Sequence, residues 1–129
     1  MKNIYIITGA NGHLGSTIIR TLKQHGSPDA CGCEIRGLIL PGEKPPFKET
    51  PSIHWYYGDV TDISTLVPLF AQTENSRVIV IHTAGIIDIT AAAVTPKMRS
   101  VNVDGTKNMV TAAMSHGVYR FIYVSSVHA

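Results

Sequence analysis

The chain has 129 residues, of which 44% are hydrophobic and 16% charged; this suits one domain with a substantial apolar core and excludes intrinsic disorder. Its net charge of +2 is small and dispersed, which excludes the basic footprint of a nucleic-acid binder. Two cysteines, Cys31 and Cys33, are too few for a disulfide framework, and the scattered histidines give them no partners at zinc-site spacing, so no metal site is expected.

Residues 3–8 (NIYIIT) form a nearly continuous β-branched and aromatic run, the pattern of a strand buried on both faces of a parallel sheet. No charged leader precedes it and no apolar run approaches the about 20 residues of a membrane span. A cytoplasmic protein with neither a membrane nor a nucleic-acid partner is therefore expected. Residues 9–15 follow without a linker. Residues 16–25 (STIIRTLKQH) place Ile18, Ile19 and Leu22 on one helical face, with Gly26 as C-cap. A second strand is predicted over residues 34–40, then an irregular loop over 41–51 because Pro41, Pro45, Pro46 and Pro51 crowd it.

Residues 53–57 (IHWYY) read as a third strand. Asp62 is placed to cap a helix over 63–71 that Pro68 shortens or kinks. A fourth strand spans 77–82 (RVIVIH) and ends at Thr83-Ala84-Gly85. Pro96 opens a longer helix to His116, with Met98, Val101, Gly105, Met109, Ala112 and Ala113 as its packing stripe and Gly117 at its end. Residues 120–124 (RFIYV) form a fifth strand that runs into Ser125-Ser126. The alternation predicts an α/β Rossmann-type doubly wound parallel sheet of about five strands, order 3-2-1-4-5, in one domain over residues 1–129.

The turn Thr8-Gly9-Ala10-Asn11-Gly12-His13-Leu14-Gly15 carries the chemistry. Gly9 permits the tight turn out of the first strand. Gly12 lets backbone approach a pyrophosphate, and Gly15 lets the helix pack close to the sheet. The N–H groups of the first helical turn, near His13 and Leu14, meet phosphate charge together with the helix dipole. Because the turn follows a strand and opens a helix, it predicts dinucleotide binding.

Thr-Gly-x-x-Gly-x-x-Gly at residues 8–15 resembles the extended short-chain dehydrogenase/reductase superfamily, the NAD-dependent epimerase/dehydratase type. Five further segments in order bring the likeness to its dihydroflavonol-reductase-like and 3β-hydroxysteroid-dehydrogenase-like members. They are Arg36-Gly37-Leu38-Ile39-Leu40-Pro41, Gly58-Asp59-Val60-Thr61-Asp62, His82-Thr83-Ala84-Gly85, Asn102-Val103-Asp104-Gly105-Thr106 and Val124-Ser125-Ser126. The resemblance implies a cofactor site of Gly9, Asn11, Gly12, His13, Leu14, Gly15, Leu40, Asp59, Val60, Thr83, Ala84 and Gly85. Asp59 and Val60 would hold the adenine, or Asp59 would simply close a turn. Residues 83–85 would border the ribose, or form only a tight turn. His82 reads as packed in the sheet.

The resemblance also assigns Ser126 as the catalytic serine, bonded to the substrate oxygen, and Asn102 as a supporting residue. A solvent-facing helical position is the other reading of Asn102. In the resembled enzymes a Tyr gives or takes the proton, and a Lys four residues later lowers its pKa. Tyr5, Tyr56, Tyr57, Tyr119 and Tyr123 all lack that Lys. The expectation is thus the N-terminal portion of a longer enzyme, without its last strands and substrate segment, inactive alone, and self-associating through an unpaired edge.

The cofactor, NAD or NADP, is undecided at this level. An acid at the end of the second strand would favour one and an Arg the other; Leu40 is neither, and Lys44 and Lys48 in the loop beyond read as solvated charges, or one of them would reach a 2′-phosphate. The expected function is hydride transfer between nicotinamide and a small alcohol or ketone. The alternatives are a nucleotide-sugar epimerase or dehydratase, and a non-catalytic redox-sensing dinucleotide module.

Overall fold

The computed structural model describes residues 2–25, 33–85 and 95–124. Five parallel strands run β1 Lys2–Thr8, β2 Cys33–Ile39, β3 Ile53–Tyr57, β4 Ser76–His82 and β5 Arg120–Tyr123. They lie in the order β3-β2-β1-β4-β5, the order the alternating pattern predicts. β1 is central and pairs along its length with β2 and β4.

Period-two alternation splits the core between the two faces. Ile4 and Ile6 of β1 join Val78 and Val80 of β4 beneath Leu66, Leu69, Met109, Ala112 and Ala113. Ile7 instead joins Ile35, Ile39, Ile53 and Trp55 beneath Ile19 of helix α1 (His13–His25). Both faces are covered, which is why β1 reads as a continuous apolar run.

Three helical predictions are refined. α1 begins at His13, three residues earlier than its apolar face suggests, because Gly12 itself caps it: the Ser16 N–H donates to the Gly12 carbonyl at 3.0 Å. Residues Ile63–Phe70 form a 3-10 helix, not an α-helix, and contain Pro68. Asp62 caps it as predicted, its Oδ1 accepting from the Ser64 N–H at 3.1 Å. The long second helix is continuous but uneven. It comprises α2 (Pro96–Arg99), a π turn over Ser100–Asp104 and α3 (Gly105–Ser115). The predicted stripe faces inward where it matters: Gly105, Met109, Ala112 and Ala113 are buried. A Cβ on Gly105 would stand 2.5 Å from Val60 Cγ2, so glycine brings this helix onto the segment after β3.

Arg36, a basic residue within β2, is buried and hydrogen-bonded through Nε and Nη1. Its Nη1 donates to the carbonyls of Leu69 and Ala71 at 2.7 Å each, closing the end of the 3-10 helix, and its Nε donates to Glu34 at 2.6 Å. Burial pushes the Glu34 carboxyl up, but hydrogen bonds from Lys2 and Arg36 and their charges leave it below its usual range. Replacing Arg36 with Met strands two carbonyls and leaves the half-buried Glu34 carboxylate with Lys2 alone. The expected loss is about 2–3 kcal/mol, read as a lower midpoint in urea unfolding; an unchanged midpoint would show that water repairs the gap.

Candidate functional site

The carboxyl ends of β1, β2, β3 and β4 meet at one edge of the sheet, and short hydrogen bonds tie their loops together. The glycine turn leaves β1 with Gly9 at φ +62°, a left-handed conformation that favours glycine. A Cβ there would also lie 2.8 Å from Thr83 Oγ1 and 3.0 Å from the Ala84 nitrogen, so Gly9 lets the end of β4 close onto the turn. The turn is locked by the Gly12 N–H donating to the Gly9 carbonyl at 3.0 Å. A Cβ on Gly15 would collide with that same Gly9 carbonyl oxygen and stand 2.8 Å from its carbon. α1 can therefore lie against the turn only with glycine at this position. Asn11, Gly12, His13 and Leu14 are exposed at its mouth. The N–H groups of His13, Leu14 and Gly15 precede the first intrahelical bond, from Ser16 to the Gly12 carbonyl, and so are left without helical partners. This geometry fits a pyrophosphate: exposed backbone donors, a helix dipole and no side chain on Gly12.

The neighbouring loops continue this edge. The Ala10 N–H donates to the Leu38 carbonyl at 3.1 Å, and the Gly58 N–H to the Ile39 carbonyl at 3.0 Å. Leu40 thus emerges, 46% exposed, between the glycine turn and Asp59. Asp59 is a turn residue as well as a candidate ligand. Its Oδ1 accepts from the Thr61 N–H at 2.9 Å and the Thr61 hydroxyl at 2.8 Å, while Oδ2 takes no hydrogen bond from a described residue. The Asn108 amide donates to the Val60 carbonyl at 2.8 Å, which fixes the Asp59-Val60 segment to α3.

A buried relay unites the ends of β1 and β4 with the π turn, and sequence reasoning missed it. Thr8 Oγ1 accepts the N–H groups of Thr83 and Ala84 at 3.0 Å each and lies 2.8 Å from His82 Nδ1. A hydroxyl has one proton and two acceptor sites, so Thr8 must donate to Nδ1. On the other side, the Thr106 hydroxyl donates to the Asn102 carbonyl at 2.8 Å and therefore accepts from His82 Nε2 at 3.0 Å. His82 is thereby the neutral Nε2–H tautomer, every polar atom of the relay partnered. It is 0% exposed, as its packed reading predicts. Burial pushes its pKa down to about 4. The sequence offered only a Thr ending β1 and a His ending β4, with nothing to say that they touch.

Asn102 is half-buried within the π turn, and its Oδ1 would lie 3.3 Å from a Cβ on Gly85. The turn of residues 83–85 and the predicted supporting Asn are thus adjacent. Ser126, Cys31 and Gly26 lie outside the described residues. Lys44 and Lys48 line a groove beside β3 with Phe47, Trp55 and Tyr57. No helix among the described residues is long and apolar enough to cross a membrane.

A parallel 3-2-1-4-5 sheet with a glycine cradle between its first strand and helix defines a Rossmann-type nucleotide-binding fold. The family model for the 3-beta hydroxysteroid dehydrogenase/isomerase family matches residues 6–129, and the chain belongs to that family. It is 33% identical over 127 residues to a 3-beta-hydroxysteroid dehydrogenase of Mycolicibacterium neoaurum, covering 94% of this chain and 31% of that one. It is 30% identical over 127 residues to 3 beta-hydroxysteroid dehydrogenase type 7 of Homo sapiens, covering 98% of this chain and 33% of the human one. The chain thus spans about a third of the length of these relatives. Among solved structures it resembles the Thermus thermophilus UDP-glucose 4-epimerase in complex with NAD, with a TM-score of 0.76 and 20% identity over 95% of this chain and 37% of that one. A short-chain dehydrogenase/reductase superfamily protein from Agrobacterium tumefaciens with bound NAD aligns with a TM-score of 0.70 and 24% identity over 95% of this chain and 32% of that one. At these identities the two structures speak for the fold.

Proposed function

We propose that the chain is the NAD- or NADP-binding part of an oxidoreductase that moves hydride between nicotinamide and an alcohol or ketone. The observation that carries this reading is the cradle at residues 9–15, where a Cβ on Gly9 would crowd the Thr83 hydroxyl and Ala84, a Cβ on Gly15 would strike backbone, and Gly12 leaves the helix mouth open. The dinucleotide, when bound, supplies the hydride chemistry. The chain supplies the rest: the turn holds the pyrophosphate, Asp59 and Val60 hold the adenine, and Thr83, Ala84 and Gly85 border the ribose. Asn102 supports the last of these from the π turn, and Ser126 is the candidate bond to the substrate oxygen.

The mycobacterial and human relatives are steroid dehydrogenases by name, which supports the alcohol–ketone reading over a nucleotide-sugar epimerase or dehydratase or a redox-sensing module. The residue pair that would transfer the proton, Tyr-x-x-x-Lys, is not found in this sequence. Binding is therefore the property to measure. Calorimetric titration of the folded chain with NAD, NADH, NADP and NADPH is expected to give saturable one-to-one binding. No binding of any of the four would remove the reading.

A further inference from the structure

We propose that Thr106 is a positioning residue of the dinucleotide cradle: it fixes which nitrogen of His82 carries the proton and, through that choice, holds the end of β4 against the glycine turn. The inference rests on the dinucleotide reading above. Thr106 is the second residue of α3, half-buried, and reaches the end of β4 only through the packed fold. Its hydroxyl proton is already committed, because it donates to the Asn102 carbonyl one turn back at 2.8 Å. Toward His82 Nε2, 3.0 Å away, Thr106 can therefore only accept. An imidazole that donates from Nε2 presents a bare Nδ1 to Thr8 Oγ1, 2.8 Å away. The direction of every hydrogen bond in the chain from Asn102 to Thr8 is thus set at its Thr106 end.

The other tautomer has no place at the Thr8 end. Thr8 Oγ1 accepts the N–H groups of Thr83 and Ala84, which fills both of its acceptor sites, and its own proton goes to Nδ1. A proton on Nδ1 would compete with those two N–H groups for one oxygen. Thr8 and His82 are both 0% exposed, so solvent offers no substitute partner, and burial keeps the ring neutral near pH 7. Without the Thr106 oxygen, an Nε2–H would be a stranded buried donor, and the proton would move to Nδ1. Residues 83 and 84 bear directly on the cradle. Thr83 Oγ1 donates to the Thr8 carbonyl at 2.6 Å, and it and the Ala84 nitrogen occupy the space that a Cβ on Gly9 would need. The Gly9 carbonyl in turn takes the Gly12 N–H. Displacing Thr83 and Ala84 therefore loosens the turn that holds the pyrophosphate.

The test pairs calorimetric titration with NAD and NADP with NMR of the His82 ring nitrogens, in the unaltered chain, Thr106→Val and Thr106→Ser near neutral pH. Val keeps the branched shape and removes the hydroxyl, whereas Ser keeps the hydroxyl. Circular dichroism shows that each folds, and Thr106→Ala replaces Thr106→Val if that variant does not. The unaltered chain is expected to hold His82 as the Nε2–H tautomer. Thr106→Val is expected to move the proton to Nδ1 and to bind dinucleotide about tenfold more weakly, the scale of one lost hydrogen bond. Thr106→Ser is expected to restore the tautomer and to bring affinity back to within about twofold. A merely structural role would lower Tm without moving the proton. An Nδ1–H tautomer in the unaltered chain overturns the proposal, and that measurement needs no variant. So does a folded Thr106→Val that keeps Nε2–H, or one that moves the proton and binds as tightly as before. Each of these results leaves the dinucleotide reading standing as long as the unaltered chain binds NAD or NADP. Failure of the unaltered chain to bind either removes that reading and this one with it.

Discussion

Gly12→Val is expected to abolish dinucleotide binding in a chain that still folds, whereas Gly15→Ala, a smaller change, is expected to damage the fold itself. The two glycines stand three residues apart in one turn, but their surroundings differ. A Cβ on Gly12 would come no closer than 3.3 Å to the Gly9 carbonyl oxygen, and the residue is exposed. The backbone tolerates that side chain at about 1 kcal/mol or less, the cost of replacing Gly with Val at a helix N-cap. The branched side chain then occupies the space in front of the helix mouth. A Cβ on Gly15 meets only backbone: the Gly9 carbonyl and, at 3.0 Å, Ala10 Cα. No flexible side chain can swing away, so α1 must lift from the turn. The expected cost is about 2–4 kcal/mol, a fall in Tm of roughly 10 °C for a domain of this size. Calorimetry with NAD and thermal unfolding by circular dichroism separate the two effects. A folded Gly12→Val that binds normally would move the pyrophosphate away from this turn. A fully stable Gly15→Ala would mean that the helix has room the geometry does not show.

What the sequence revealed and what it concealed divide along a physical line. The glycine turn was legible because its meaning depends on residues within seven positions of one another and on a strand and helix that announce themselves by period. Sheet order followed because buried parallel strands are continuous apolar runs and right-handed crossovers leave few arrangements. The 3-10 helix over Ile63–Phe70 and the π turn over Ser100–Asp104 were not legible, since apolar spacing does not separate these from α-helix. The partners of Asn102 and His82 were hidden for another reason. Thr8, His82 and Thr106 meet only after three elements have docked, and nothing local in the chain marks their contact. The decisive residue types were therefore visible, while pairings that depend on docking were not.

His82 makes one of those hidden pairings measurable through pH. Its ring is buried beneath Phe121 and Tyr123, with ring centroids 6.1 and 5.9 Å away, and burial depresses its pKa to about 4 from an ordinary value of 6.5. The sign follows from proton uptake. Between pH 6.5 and 4 the unfolded chain binds a proton at this position and the folded chain does not, so acidification favours unfolding. Stability from this group is complete above pH 6.5 and falls progressively to a loss of about 3 kcal/mol at pH 4. The relay supplies a second reason beyond desolvation. A second proton on the imidazole would turn Nδ1 into a donor toward Thr8 Oγ1, which already accepts two N–H groups and has its own proton to place. The contacts that hold Thr83 and Ala84 against the glycine turn would then compete with His82. Urea unfolding of the unaltered chain and of His82→Gln, at intervals from pH 7.5 to 4.5, isolates the titration because slopes are compared, not absolute stabilities. The unaltered chain is expected to lose stability with a slope approaching about 1.4 kcal/mol per pH unit below 6, and His82→Gln to lack that component. Parallel curves for the two proteins across this range would show that the His82 proton is not coupled to folding.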